Sequence, residues 1–157
     1  MGLAMRSEVA GLSTGHVDSP GDWSYWEGGP IRALPRHCVF VFGSNLAGRH
    51  GAGAAQVATL RFGAAYGVGE GLTGQAYALP TKDERIRTLS SAAVAGHVGR
   101  FLRFAATRRD LVFVVTEVGC GLAGYSAVEI APMFAGAGDN VLLPRAFVDV
   151  LTVPDAA

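Results

Sequence analysis

Charge is scarce in this chain. Only 17% of its 157 residues are Asp, Glu, Lys or Arg, and 13 basic residues balance 13 acidic ones. Extended nucleic-acid surfaces need a basic face, so a formal net charge of zero argues against one. A small phosphorylated ligand needs no such field, only a few backbone donors in the right place. Cysteine is scarcer still. Cys38 and Cys120 have no metal-ligand spacing and read as reduced thiols in or beside buried strands. Neither a metal nor a cofactor is expected. No apolar run is long enough to span a membrane, and the first 20 residues lack the apolar core of a secretory signal. The expectation is a soluble, cytoplasmic protein with no membrane partner.

Glycine is what the chain has in excess: 22 residues, clustered in 43–74 and 119–138. Glycine costs chain entropy on folding, so clusters of it mark tight turns or close approach of the backbone to a ligand. Half of the residues are hydrophobic, enough for one domain with a real core. Residues 1–36, rich in Gly, Ser, Pro and Asp, read as a partly ordered N-terminal arm. Its Trp23, Tyr25 and Trp26 either dock on the body or form a platform for a base. Residues 37–153 read as a single domain.

Within that domain the pattern alternates. Cys38–Phe42 is a short apolar run stopped by Gly43, which suits a buried strand. Gly53–Phe62 reads as a short helix, 63–74 as a glycine-rich loop, and Ala76–Leu79 as a strand ending at Pro80. Leu89–Thr107 is the clearest helix, with Val94, Val98, Phe101, Leu102 and Ala105 on one face. Leu111–Val118 is the strongest strand. Ser126 to Phe134 reads as a helix opened by a Ser126/Glu129 capping box, and Val141–Leu143 as a last strand. Strands that are apolar throughout imply a sheet covered on both faces, an α/β layered architecture. Ligands of such sheets sit beyond the carboxyl ends of the strands, where loops 43–53, 80–84 and 119–125 fall.

Three motifs sit on those loops. Gly119-Cys120-Gly121-Leu122-Ala123-Gly124 fits G-x-G-x-x-G, with a strand before it and a helix after it, the context of a diphosphate turn. The helix start at Ser126 is expected to present free N–H groups to the anion. The alternative is a tight turn with no ligand. A second match at Gly69–Gly74 precedes a strand and is set aside. After the first strand come Gly43, Ser44 and Asn45, whose amide suits a ribose. Arg49, His50, Gly51, Ala52 and Gly53 follow. Lys82, after Pro80-Thr81, points to the same edge as a phosphate partner, a nucleophile towards a sugar carbon, or a plain turn residue.

At these residues the chain from about 38 to 147 resembles the macrodomain superfamily. It is most similar to the branch of terminal ADP-ribose glycohydrolases, which remove ADP-ribose from acidic side chains. The resemblance rests on Gly51-Ala52-Gly53-Ala54-Ala55 with Phe62-Gly63, on Leu79-Pro80-Thr81-Lys82, and on Val118-Gly119-Cys120-Gly121-Leu122. The chain also resembles a group of small bacterial and phage proteins carrying FVFGSNLAGRHGAGAA and GCGLAGY. The resemblance implies a three-layer fold, a central mixed sheet flanked by helices. Its ligand would be ADP-ribose or an ADP-ribosylated macromolecule. Residues 51–55 would approach the distal ribose and phosphate, Gly119–Gly124 with Tyr125 would wrap the diphosphate, and Lys82 would attack the anomeric carbon. Where that branch carries an acid after GCGL, this chain has Ala123. Asp83 is a candidate substitute, although neighbours on an extended segment point to opposite sides.

Two main readings follow: an ADP-ribosyl hydrolase using Lys82, Asn45 or Asp83, and a module that binds the nucleotide without turnover. Two weaker ones are a Cys120 nucleophile paired with His50 or His97, and a dinucleotide-dependent oxidoreductase. The last lacks a clear acidic residue about 20 positions beyond the loop.

Overall fold

The computed structural model describes residues 11–18 and 21–153. Seven strands form one mixed sheet: β1 (Thr14–Val17), β2 (Trp23–Trp26), β3 (Cys38–Asn45), β4 (Gly71–Thr73), β5 (Ala76–Lys82), β6 (Val112–Val115) and β7 (Val141–Pro144). Their spatial order is β1-β2-β7-β6-β3-β5-β4. β2, β7, β6, β3 and β5 run parallel, with an antiparallel strand at each edge. The helices are α1 (Gly53–Arg61), α2 (Ser91–Thr107), α3 (Ala127–Ile130) and α4 (Arg145–Leu151).

Alternate residues of the central strands feed two cores. Val39, Val41, Tyr77, Leu79, Phe113 and Val115 face α2, α3 and α4. Cys38, Phe40, Phe42, Ala76, Ala78 and Val114 face α1. Both faces being covered is why these strands read as unbroken apolar runs. Phe101 on α2 is fully buried and lies edge-on to Tyr77 at 4.9 Å and Phe113 at 5.5 Å.

Several boundaries differ from expectation, each for a tertiary reason. Gly43 does not stop β3, because its parallel pairing with β5 continues through Gly43↔Leu79 and Ser44↔Pro80 to Asn45↔Lys82. Pro80 does not end β5 either. Phe40 N–H bonds the Gln75 carbonyl at the start of the ladder. The alternation of a parallel ladder then turns the nitrogen of Pro80 to the other side, where β4 has already ended opposite Ala78. β6 is shorter than expected, because Thr116 begins a turn in which Cys120 N–H bonds the Glu117 carbonyl at 3.1 Å. The helix expected over 126–134 is one α-turn followed by a 3₁₀ turn, Ala131–Phe134, containing Pro132.

Residues of the stretch set apart as an arm form β1 and β2 of the same sheet. Trp23 and Trp26 are buried there, and the Trp26 indole donates to the Val115 carbonyl at 2.8 Å. They are core residues. The rejected second glycine motif is structural: a Cβ on Gly69 would lie 2.4 Å from the Leu46 carbonyl oxygen, and one on Gly74 2.5 Å from that of Gly63.

Phe101→Ala is expected to cost about 3–5 kcal/mol, cavity included, a large part of the roughly 5–15 kcal/mol of a typical domain. Leu60, 75% exposed on α1, should tolerate alanine within about 0.5 kcal/mol. Urea midpoints compare the two, and equal costs would refute the packing described here.

Candidate functional site

The carboxyl ends of β6, β3 and β5 open onto a cleft of about 370 Å³. The ladder between β3 and β5 carries a bulge at its end: Ser44 pairs with Pro80 and Asn45 with Lys82, leaving Thr81 over. A bulge re-aims the strand that carries it. Here Thr81 and Lys82 both line the cleft. The Lys82 side chain has no hydrogen bond or ion pair among the described residues.

The floor is main chain. The N-cap of α1 is Ala52, whose side chain makes no capping bond. Its first intrahelical bond runs from Gln56 N–H to the Ala52 carbonyl at 3.2 Å. The N–H groups of Gly53, Ala54 and Ala55 therefore precede the ladder, at the positive end of the helix dipole. All three residues line the cleft. Opposite them, the N–H groups of Gly119, Gly121, Leu122 and Ala123 find no acceptor among the described residues. Two ties fix this loop to the connection between β5 and α2: the Thr88 hydroxyl donates to the Ala123 carbonyl at 2.9 Å, and the Tyr125 hydroxyl to that of Leu89.

The glycines divide by duty. Gly119 and Gly124 have positive φ, +78° and +87°, which side chains rarely adopt. Gly121, between them, has no such φ, and a Cβ there would meet nothing within 4 Å; Gly51 is the same. Both line the cleft, and the fold needs neither to be glycine.

The expected site residues fall into two groups. Gly43, Ser44, Asn45, Gly51, Ala52, Gly53, Lys82, Gly119, Gly121, Leu122 and Ala123 line the cleft, as does Arg49. Asn45 is occupied in shaping it, since its amide bonds both the carbonyl and the N–H of Arg49, at 2.8 and 2.9 Å. Asp83, His50, Cys120, Gly124 and Tyr125 are not in its lining. The Asp83 carboxylate accepts from Arg85 and Arg87 N–H. That bonding, from Arg87 foremost, holds it below the usual carboxylate range, so it caps its own turn. His50 is buried between Phe42 and Tyr66, and its Nε2 donates to the Val68 carbonyl at 3.1 Å. Tyr125 serves as a staple through its hydroxyl.

The start of α3 is not the free donor set expected from sequence. The capping box is present, with Ser126 N–H held by the Glu129 carboxylate and Glu129 N–H by the Ser126 hydroxyl. The open helix start is that of α1.

Cys120 Sγ packs against the core on the α2 side and donates weakly to the Val118 carbonyl. Burial, then the charges of Glu117 and Glu129, push its thiol up to about 11. His97 bonds Glu70 at 2.8 Å, and neither His97 nor His50 bonds the thiol. A cysteine nucleophile is disfavoured.

Four lining residues escaped the sequence reading. Glu117 is exposed beside Thr116, and the polar pair interrupting LVFVVTEV was the signal for them. Tyr66 and Ile86 stand exposed at the mouth. Ile86, with φ +62°, is the one non-glycine residue at positive φ among those described. That is a strained state for a β-branched side chain. A second cavity, of about 510 Å³, adjoins the first and shares Ala54, Thr116 and Glu117 with it. Its walls are Trp26, Ile31, Phe40 and Val57, with Arg32 and Arg61 exposed at its rim.

No group of three metal-ligating side chains occurs among the described residues, and no helix there is long and apolar enough to cross a membrane. Comparison with protein-family models, with curated proteins and with solved structures finds no match.

The Cys120 thiol favours the protonated form in the fold. Its contribution to stability is full below the ordinary value of 9.0 and is lost as pH rises through about 11. Iodoacetamide at pH 7.5 is expected to label Cys120 at least about tenfold more slowly than a free thiol, with the rate climbing towards pH 11. Fast labelling at neutral pH would overturn this placement.

Proposed function

We propose that the chain binds ADP-ribose or a related NAD-derived nucleotide diphosphate across the two cavities, in a macrodomain-like fold. One observation carries the reading: an uncapped helix start and a loop of unbonded N–H groups line one cleft. Backbone donors in that arrangement recognise phosphate without a basic surface. Two further features support it. Gly51 and Gly121 leave space that the fold does not use, as close approach of a pyrophosphate requires. The adjoining cavity has apolar walls, suited to a base, and each cavity falls within the ~300–1,000 Å³ usual for ligand sites. The diphosphate then lies between α1 and Gly119–Ala123, the base against Trp26 and Ile31, and the distal sugar towards Lys82.

Binding without turnover is favoured, because Ala123 offers no acid and Asp83 is engaged in its turn. Hydrolysis of an ADP-ribosyl linkage is the second reading. The observation in its favour is Lys82, whose side chain lines the cleft without a partner among the described residues.

Saturating ADP-ribose, at 100 times its Kd, is expected to stabilise the protein by about 2.7 kcal/mol and raise its melting temperature, with AMP doing less. Gly121→Val should melt like the wild type yet show no ligand shift. Absence of a shift with every nucleotide diphosphate tested would sink the proposal. Hydrolysis is tested separately, by release of ADP-ribose from a modified protein. It should be lost in Lys82→Ala and kept in Cys120→Ala, and no release by the wild type leaves binding alone.

A further inference from the structure

Glu117 is the only carboxylate lining either cavity among the described residues, and it lines both. Its backbone is fixed on each side. Thr116 bonds the Val41 carbonyl through its N–H at 3.1 Å and its hydroxyl at 2.7 Å, and Cys120 N–H holds the Glu117 carbonyl. Its side chain is exposed and makes no hydrogen bond or ion pair among the described residues. An acid is out of place in a site built to attract phosphate unless it meets a different part of the ligand.

Its position says which part. Glu117, Thr116 and Ala54 form the seam between the donor-lined cleft and the apolar cavity. A nucleotide with its diphosphate in one and its base in the other crosses that seam with the nucleoside ribose. A ribose presents vicinal hydroxyl donors, and an ionised carboxylate only accepts. Arg61 follows Ala54 by seven residues on α1, roughly 10 Å along the axis, so it leaves the seam to Glu117. We infer that Glu117 reads the 2′- and 3′-hydroxyls of the nucleoside ribose and excludes ligands phosphorylated there. The site would then take diphosphates derived from NAD but not those derived from NADP. This inference rests on the nucleotide-diphosphate reading of the cleft.

Calorimetric titration of the full chain with ADP-ribose, its 2′-phosphate and its 2′-deoxy analogue tests it. The wild type should bind ADP-ribose at least roughly tenfold more tightly than either analogue, the range of a hydrogen bond to a charged group. Glu117→Ala should weaken ADP-ribose by about that factor, weaken the 2′-deoxy analogue less, since only its 3′-hydroxyl bond remains to be lost, and tighten the 2′-phosphate. Glu117→Gln should keep part of the preference for the hydroxyl while losing the exclusion of phosphate, because the amide bonds without charge. Both variants should melt like the wild type, since the carboxylate makes no hydrogen bond or ion pair among the described residues. Equal wild-type affinity for the three ligands, or equal losses for all three in Glu117→Ala, would overturn the role of Glu117 alone. No binding of any of them by the wild type would refute the reading of the cleft as well.

Discussion

The parallel pairing of β3 with its neighbours is the constraint on which the rest depends. With β6 on one side and β5 on the other, β3 brings three carboxyl ends to one edge of the sheet. The bulge at Ser44/Asn45 then sets which side chains of β5 reach the cleft. The pairing tolerates Pro80 only because β4 is short, so the small edge strand is a condition for the geometry of the centre. Where the chain leaves β3, Gly48 at φ +72° packs its α-carbon against Gly67, with no room for a Cβ. The 45–51 loop is thereby held against the 65–69 segment, and the start of α1 is held with it.

The glycine motif divides its work in the same way. Its outer glycines serve the turn, and its middle glycine serves the space above the turn. The two helix starts near the loop are opposites: α3 is closed by its own Ser126 and Glu129, and α1 is left open. An open end facing a cleft is a polar surface that remains to be satisfied, and this is what separates the cleft from an ordinary surface groove.

Much of the sheet was legible because its central strands are packed on both faces, which writes CVFVF and LVFVV as unbroken apolar runs. α2 was legible through its three- and four-residue spacing. β1, β2 and β4 were not. They are three or four residues long, β1 and β4 are only partly buried, and β4 contains glycine, so no period announces them. Gly43 and Pro80 misled because punctuation is a local signal and strand pairing is not. At the site, the three loops were readable from glycine and from their place after strands. Side-chain direction was not, since it depends on bonds made inside each turn. Asp83, His50 and Cys120 all sit beside cleft residues in the chain and are turned away by such bonds. Glu117 was hidden inside what looked like a strand.

A cleft floor made of main chain has a consequence for how it responds to the medium. Backbone amides carry no proton that they lose or gain in ordinary media. Their capacity to donate does not follow the acidity of the surroundings, as the charge of a histidine or carboxylate does. Short-range donors in a chain without net charge also give added salt little long-range attraction to screen. The donor set at the start of α1 and in the Gly119–Ala123 loop is thus fixed at folding and stays constant while the medium changes.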